Sequence, residues 1–160
     1  MIKVKIIALG RLKEKYLREA SDEYIKRMSA YAKTEIVEIE PVRLPDNPSE
    51  KEIEKALISE AEMIKKKIPD DAVVTAMCIE GRQSSSEELS NLINNRISRG
   101  EGSFVFIIGS SYGLHPSIKA SADIKLSFSK MTFPHQLFRI MLLEQIYRSF
   151  KIAEGSKYHK

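Results

Sequence analysis

Between Leu137 and Phe150 the chain places nine large apolar or aromatic side chains: Leu137, Phe138, Ile140, Met141, Leu142, Leu143, Ile146, Tyr147 and Phe150. Wound as a helix, they cover most of the circumference rather than one stripe. A helix that is apolar all round must be buried on more than one side. One side can pack on its own domain, and the other is expected to face a second subunit. Directly before it, the polar-aromatic run 127–133 ends at Phe133, and Pro134 marks the helix start. A loop feeding straight into such a helix is rigidly anchored, which suits a ligand site.

The 160 residues fit one domain, 1–160, with a real core. With 42% hydrophobic and 30% charged residues, the composition is that of a globular chain, not a disordered one. No apolar run approaches the ~18 residues of a membrane span. The opening MIKVKIIALG is short and interrupted by lysines, unlike a signal peptide. The cytoplasm is therefore the expected location. The lone Cys78 has no disulfide partner within the chain and, inside AVVTAMCI, is expected to be a buried structural thiol.

A net charge of +4 does not by itself imply nucleic acid, but its distribution is uneven. Residues 1–18 hold Lys3, Lys5, Arg11, Lys13, Lys15 and Arg18 against Glu14 alone. Residues 125–160 hold Lys125, Lys130, Arg139, Arg148, Lys151, Lys157 and Lys160 against Glu144 and Glu154. The middle is net acidic. If the two ends meet in space, they form a basic face suited to phosphates; otherwise these side chains solvate the surface.

Apolar periodicity gives the order of elements. Residues 2–9 read as a strand, about 13–32 as an amphipathic helix, 34–40 as an alternating strand, and PVRLPDNP as a loop. Ser49-Glu50-Lys51-Glu52 is a capping box opening a helix that Pro69 and Asp70 stop. Residues 72–79 are apolar on both faces, so they are expected to form a central strand, followed by Gly81. Serines 84–86 with Glu87 and Glu88 start another helix. Residues 104–108, FVFII, are expected to be the most buried strand; a short helix over 115–122 and a strand over 124–128 precede the last helix. Alternating strands and helices give an α/β fold with a mostly parallel sheet and helices on both faces. Ligands bind such sheets outside the carboxyl ends of the strands. Three loops lie there: around Ile79–Gly81, Gly109–Gly113 and Phe128–Phe133.

Neither a G-x-G-x-x-G after the first strand nor a P-loop is present. The three histidines lie far apart and there is no Cys-x-x-Cys, so no metal centre is expected. No G-x-S-x-G elbow occurs. The remaining signal is the glycine turn 109–113, either a cradle for a ligand or a tight turn with none.

The runs FVFIIGSSYGLH and LSFSKMTFPHQLFRIMLLEQIYRSFKI, the opening KVKIIALGRLKEKY and the terminal YHK, in that order, are similar to the ribosomal RNA large subunit methyltransferase H family, of the SPOUT class. The resemblance covers essentially the whole chain. One position departs from the family pattern: the turn is expected to read Gly-Gly, and Ser110 stands second. A hydroxyl is thereby expected near the ligand.

The resemblance implies an α/β fold with a C-terminal trefoil knot, a homodimer, and S-adenosylmethionine as cofactor. It implies methylation of N3 of a pseudouridine, position 1915, in 23S rRNA of the large subunit or assembled ribosome. By position it assigns cofactor contacts to Met77, Gly109, Phe128, Ser129, Lys130, Met131, Thr132 and Phe133. Each has a plainer alternative: Phe128 and Phe133 as core, Lys130 as a solvated or phosphate-holding cation, Thr132 as a helix cap. Proton removal from N3 needs a base or a stabilising cation. The expected catalytic residues are Tyr158 and His159 in the tail, with Arg148 nearby, while His135 is expected to support the helix start and His115 to sit in a turn. A non-catalytic RNA-binding module, a flavodoxin-like nucleotide enzyme and a purely structural dimer remain rival readings.

Overall fold

The computed structural model describes residues 1–160. Strands β1 (Ile2–Leu9), β2 (Ala32–Ile39), β3 (Val73–Gln83), β4 (Ser103–Ile108) and β5 (Ile124–Ser127) alternate with helices α1 (Lys15–Met28), α2 (Glu50–Lys65), α3 (Ser86–Ser98), α4 (Pro116–Ser121) and α5 (His135–Ala153). The strands form one sheet in the order β2-β1-β4-β3-β5. Every neighbouring pair is parallel, as strand–helix alternation requires. All six residues of β4 are buried, which follows from its central place and its continuous apolar run.

Alternation along the strands sends side chains to two cores. On one face Ile6, Phe104, Phe106 and Ile108 pack with Met28, Ile93, Leu142 and Ile146. On the other, Ile7, Val105 and Ile107 pack with Ala61, Ile64 and Ile118. Both capping boxes form: Ser49 with Glu52 opens α2, and Ser85 with Glu88 opens α3. Helix α5 packs against both α1 and α3, with Leu142, Leu143 and Ile146 wholly buried. Its first turn still exposes Leu137. No helix is long and apolar enough to cross a membrane.

Strand β3 runs past the expected end at Ile79, to Gln83. Its pairing with β5 shifts between Met77 and Arg82, both of which oppose Leu126. Residues 78–81 therefore arch out as a bulge. Gly81 lies at its foot, where an added Cβ would fall 2.7 Å from the carbonyl carbon of Leu126. That backbone contact is why the strand resumes only after a glycine. The bulge also carries Cys78 to a half-buried position at the surface of a cleft, rather than into the core.

The two basic ends do meet: the Lys13 amide donates to Gln136 Oε1 at 2.7 Å. Part of their charge is neutralised within the fold. Arg139 is only 4% exposed; it pairs with Glu38 at 2.6 Å and donates to the Gly10 carbonyl at 3.0 Å. Arg148 pairs with Glu144, Lys151 with Glu154, and Arg11 with Glu40. Arg139 instead clamps the β1–α1 loop and β2 to the first turns of α5.

Candidate active site

The loops after β3, β4 and β5 surround one cavity of about 630 Å³. All three come from the carboxyl ends of strands, where the sheet topology places a ligand site. The floor is apolar: Met77, Ile108 and Leu126 are buried strand residues, and Phe128, Phe133 and Phe138 continue the wall. Phe138 on α5 ties the loop aromatics together, with ring centroids 4.9 Å from Phe128 and 6.4 Å from Phe133.

The turn 109–113 closes on itself. Gly113 donates its amide to the Ser110 carbonyl at 2.8 Å, and Gly113 has φ +81°, a conformation that favours glycine. A Cβ on Gly109 would lie 2.5 Å from the Gly113 carbonyl oxygen. The first residue of the turn is thus glycine for space, and the last for its backbone angle. The loop after β5 is equally fixed: Ser127 Oγ donates to the Ser129 carbonyl at 3.0 Å, and the Met131 amide donates to Ser129 Oγ at 3.0 Å.

Of the sequence-predicted contacts, Met77, Gly109, Phe128, Ser129, Met131, Thr132 and Phe133 all line the cavity. Lys130 belongs to the same loop but is exposed and is not part of the wall. Thr132 does not cap α5; Pro134 occupies the cap position and there is no side-chain cap hydrogen bond. Ser110 also borders the cavity, and its hydroxyl donates to Glu60 Oε1 at 3.1 Å.

Residue-level reading missed several wall residues. Glu80 lies in the β3 bulge and pairs with Lys119 of α4, and that ammonium holds its carboxyl below the usual range. Burial pushes the neighbouring Cys78 thiol up, so it is a poor nucleophile. His135, the first residue of α5, stands exposed at the edge of the cavity; its side chain makes no hydrogen bond, and partial desolvation holds its imidazole below the usual range. His115 caps α4, its Nδ1 accepting from the Ser117 amide at 3.1 Å.

Tyr158, His159 and Arg148 are brought together, but apart from this cavity. Tyr158 donates its hydroxyl to Glu144 Oε2 at 2.8 Å, and its ring lies 4.8 Å beneath the Arg148 guanidinium. Burial, and then the Glu144 carboxylate, push the phenol up. His159 Nδ1 faces Arg148 Nη1 at 3.1 Å, and its Nε2 faces Glu87 at 2.6 Å. Arginine only donates, so Nδ1 accepts and the Nε2–H donates to Glu87. None of the three lines the cavity of its own chain.

Residues 2–159 match the family described as "Predicted SPOUT methyltransferase". The chain belongs to the SPOUT methyltransferase family. The α/β knot of SPOUT methyltransferases is therefore its fold class, and S-adenosylmethionine is the cofactor these enzymes generally use. Over 157 residues the chain is 51% identical to "Ribosomal RNA large subunit methyltransferase H" of Clostridium beijerinckii (strain ATCC 51743 / NCIMB 8052), covering 98% of this chain and 99% of that relative.

The cavity suits the cofactor of a SPOUT methyltransferase. Its volume lies within the ~300–1,000 Å³ of small-molecule sites. Its apolar floor and aromatic wall can take an adenine, and at Gly109 the backbone leaves no room for a Cβ.

Proposed function

We propose that the chain methylates N3 of the pseudouridine at position 1915 of 23S rRNA, in the assembled ribosome of the cytoplasm, using S-adenosylmethionine. The carrying observation is one cavity built by three strand-end loops in a chain that matches a large-subunit rRNA methyltransferase along nearly its whole length. A non-catalytic RNA-binding module would have no use for this cavity.

Met77, Phe128, Met131 and Phe133 would frame the adenine, and the 109–113 turn would present backbone to the cofactor. When bound, S-adenosylmethionine supplies a methyl group on a sulfonium. The protein's part is to align that methyl with N3, exclude water and handle the N3 proton. We assign Arg148, Tyr158 and His159 to the RNA substrate. In the docked tail Tyr158 is held as a neutral phenol that donates, so it is a hydrogen-bond donor here, not a base. Arg148 supplies the cation beside it. Because this trio lies outside its own cavity, it would serve the cavity of a second subunit in a homodimer. The exposed Leu137 on α5 and Tyr16 on α1 are among the apolar side chains available for that contact.

The test is twofold. Calorimetry with S-adenosylmethionine is expected to give one site per chain. Mass spectrometry of 23S rRNA from a deletion strain is expected to lack one methyl on a single pseudouridine. No cofactor binding, or unchanged rRNA, would sink the proposal.

A second reading concerns the proton alone: His135 lines the cavity with both ring nitrogens free of protein partners. A base must be neutral to accept a proton. With its pKa lowered, His135 stays neutral to a lower pH than an ordinary imidazole, and activity falls only as pH drops through that lowered value. The expected result is a pH–rate profile whose acid limb lies below ~6.5 and vanishes, along with most of the rate, in His135→Ala. An unchanged profile in that variant returns the role to the tail.

A further inference from the structure

Glu60 is 4% exposed, lies on α2, and takes part in no ion pair. Its two oxygens are used separately. Oε2 accepts the Val42 amide at 3.0 Å, from the loop after β2, and Oε1 accepts the Ser110 hydroxyl at 3.1 Å, from the glycine turn. A buried carboxyl group is costly unless it is hydrogen-bonded, and here each oxygen has a partner. Glu60 therefore holds both segments firmly.

The need for such a tie is visible behind the turn. A second cavity, of about 210 Å³, lies there, walled by Val42, Leu44, Ile53, Leu57 and Glu60. Ser110, Ser111 and Tyr112 border both cavities, so the turn is a partition between two spaces. Packing holds a segment only where there are atoms on both sides. Here a cavity lies on each side, and hydrogen bonds must do what packing does elsewhere.

We infer that Glu60 is a positioning residue for cofactor binding, acting through Ser110 to fix the turn as the wall of the larger cavity. This rests on the cofactor reading above.

The experiment compares Glu60→Ala, Glu60→Gln, Ser110→Ala and the double variant Glu60→Ala/Ser110→Ala. Two readouts are used: S-adenosylmethionine affinity by calorimetry, and hydrogen exchange of amides 110–113 without cofactor. Glutamine keeps both links, its carbonyl accepting from Val42 and its amide donating to Ser110 Oγ. Glu60→Gln is expected to stay within about twofold of the parent on both readouts. Glu60→Ala and Ser110→Ala are each expected to weaken affinity about tenfold and to speed turn exchange, non-additively in the double variant. If Glu60→Ala fails to fold, Ser110→Ala, which leaves the Val42 link in place, carries the comparison. Unchanged affinity and exchange in Ser110→Ala would overturn the inference, as would a Glu60→Gln as impaired as Glu60→Ala. Should the parent chain bind no S-adenosylmethionine, the functional reading fails, while turn exchange alone still decides whether Glu60 holds the turn.

Discussion

Gly109→Ala is expected to abolish useful cofactor binding in a protein that still folds. The added Cβ would lie 2.5 Å from the Gly113 carbonyl oxygen, 2.6 Å from its carbon, and 3.0 Å from Leu114 Cγ. Two of the three atoms are backbone, so no rotamer change relieves the contact. The turn cannot open without breaking the Gly113-to-Ser110 hydrogen bond, and Gly109 itself continues directly from the buried β4. The strain therefore displaces the turn towards one of the cavities that flank it. Overpacking of this kind costs about 1–3 kcal/mol, a loss of roughly 2–4 °C in Tm per kcal/mol for a domain of this size. The binding penalty is larger because the displaced atoms are the wall itself: affinity for S-adenosylmethionine is expected to fall about 100-fold or more, roughly 3 kcal/mol. Calorimetry paired with thermal melting checks this. Affinity within threefold of the parent would mean that the turn is not part of the cofactor site.

Which features were legible in the sequence follows from how local their causes are. The capping box at Ser49 was readable residue by residue, because a serine and a glutamate three positions on satisfy each other within one turn; at serines 84–86 only the helix start was readable, and the structure picks Ser85 with Glu88. The burial of FVFII was readable because a strand buried on both faces has no polar positions to spare; its central place was not, since residues 72–79 are equally apolar and lie one strand nearer the edge. The three loops were identified as one rim because parallel topology alone sends them to the same end. The bulge at 78–81 was not readable, since it exists only where β3 crosses Leu126 of a strand more than forty residues away. It is the bulge that brings Glu80 to the cavity. The Glu60–Ser110 bond joins two elements fifty residues apart, and in the sequence Glu60 is one of many acidic residues on a charged helix. Arg139 counted as surface charge for the same reason: nothing in FRIML indicates that Glu38 and Gly10 will enclose it.

The tail gives the sharpest separation between binding and catalysis. Deleting Tyr158–Lys160 is expected to remove rRNA methylation while leaving cofactor affinity within about twofold. Stability should change little, for a specific reason. Glu144 and Arg148 sit one turn apart on α5 and pair with each other at 2.6 Å, so loss of Tyr158 and His159 leaves neither charge without a partner. The exposed Glu87 loses its contact with His159 but gains water. None of the deleted residues lines the cavity of its own chain, so the cofactor walls stay intact. What disappears is the donor hydroxyl of Tyr158 and the imidazole of His159, and with them the polar surface assigned to the RNA. Loss of a group that manages a proton in the transition state lowers rates by about 10²–10⁴, and a decrease of that order is expected with ribosomes as substrate. Calorimetry, melting and a methyl-transfer assay on one preparation separate the outcomes. Equal loss of affinity and activity would place the tail in the cofactor site, and full activity without it would return the proton to a residue inside the cavity, where His135 is the group best placed to take it.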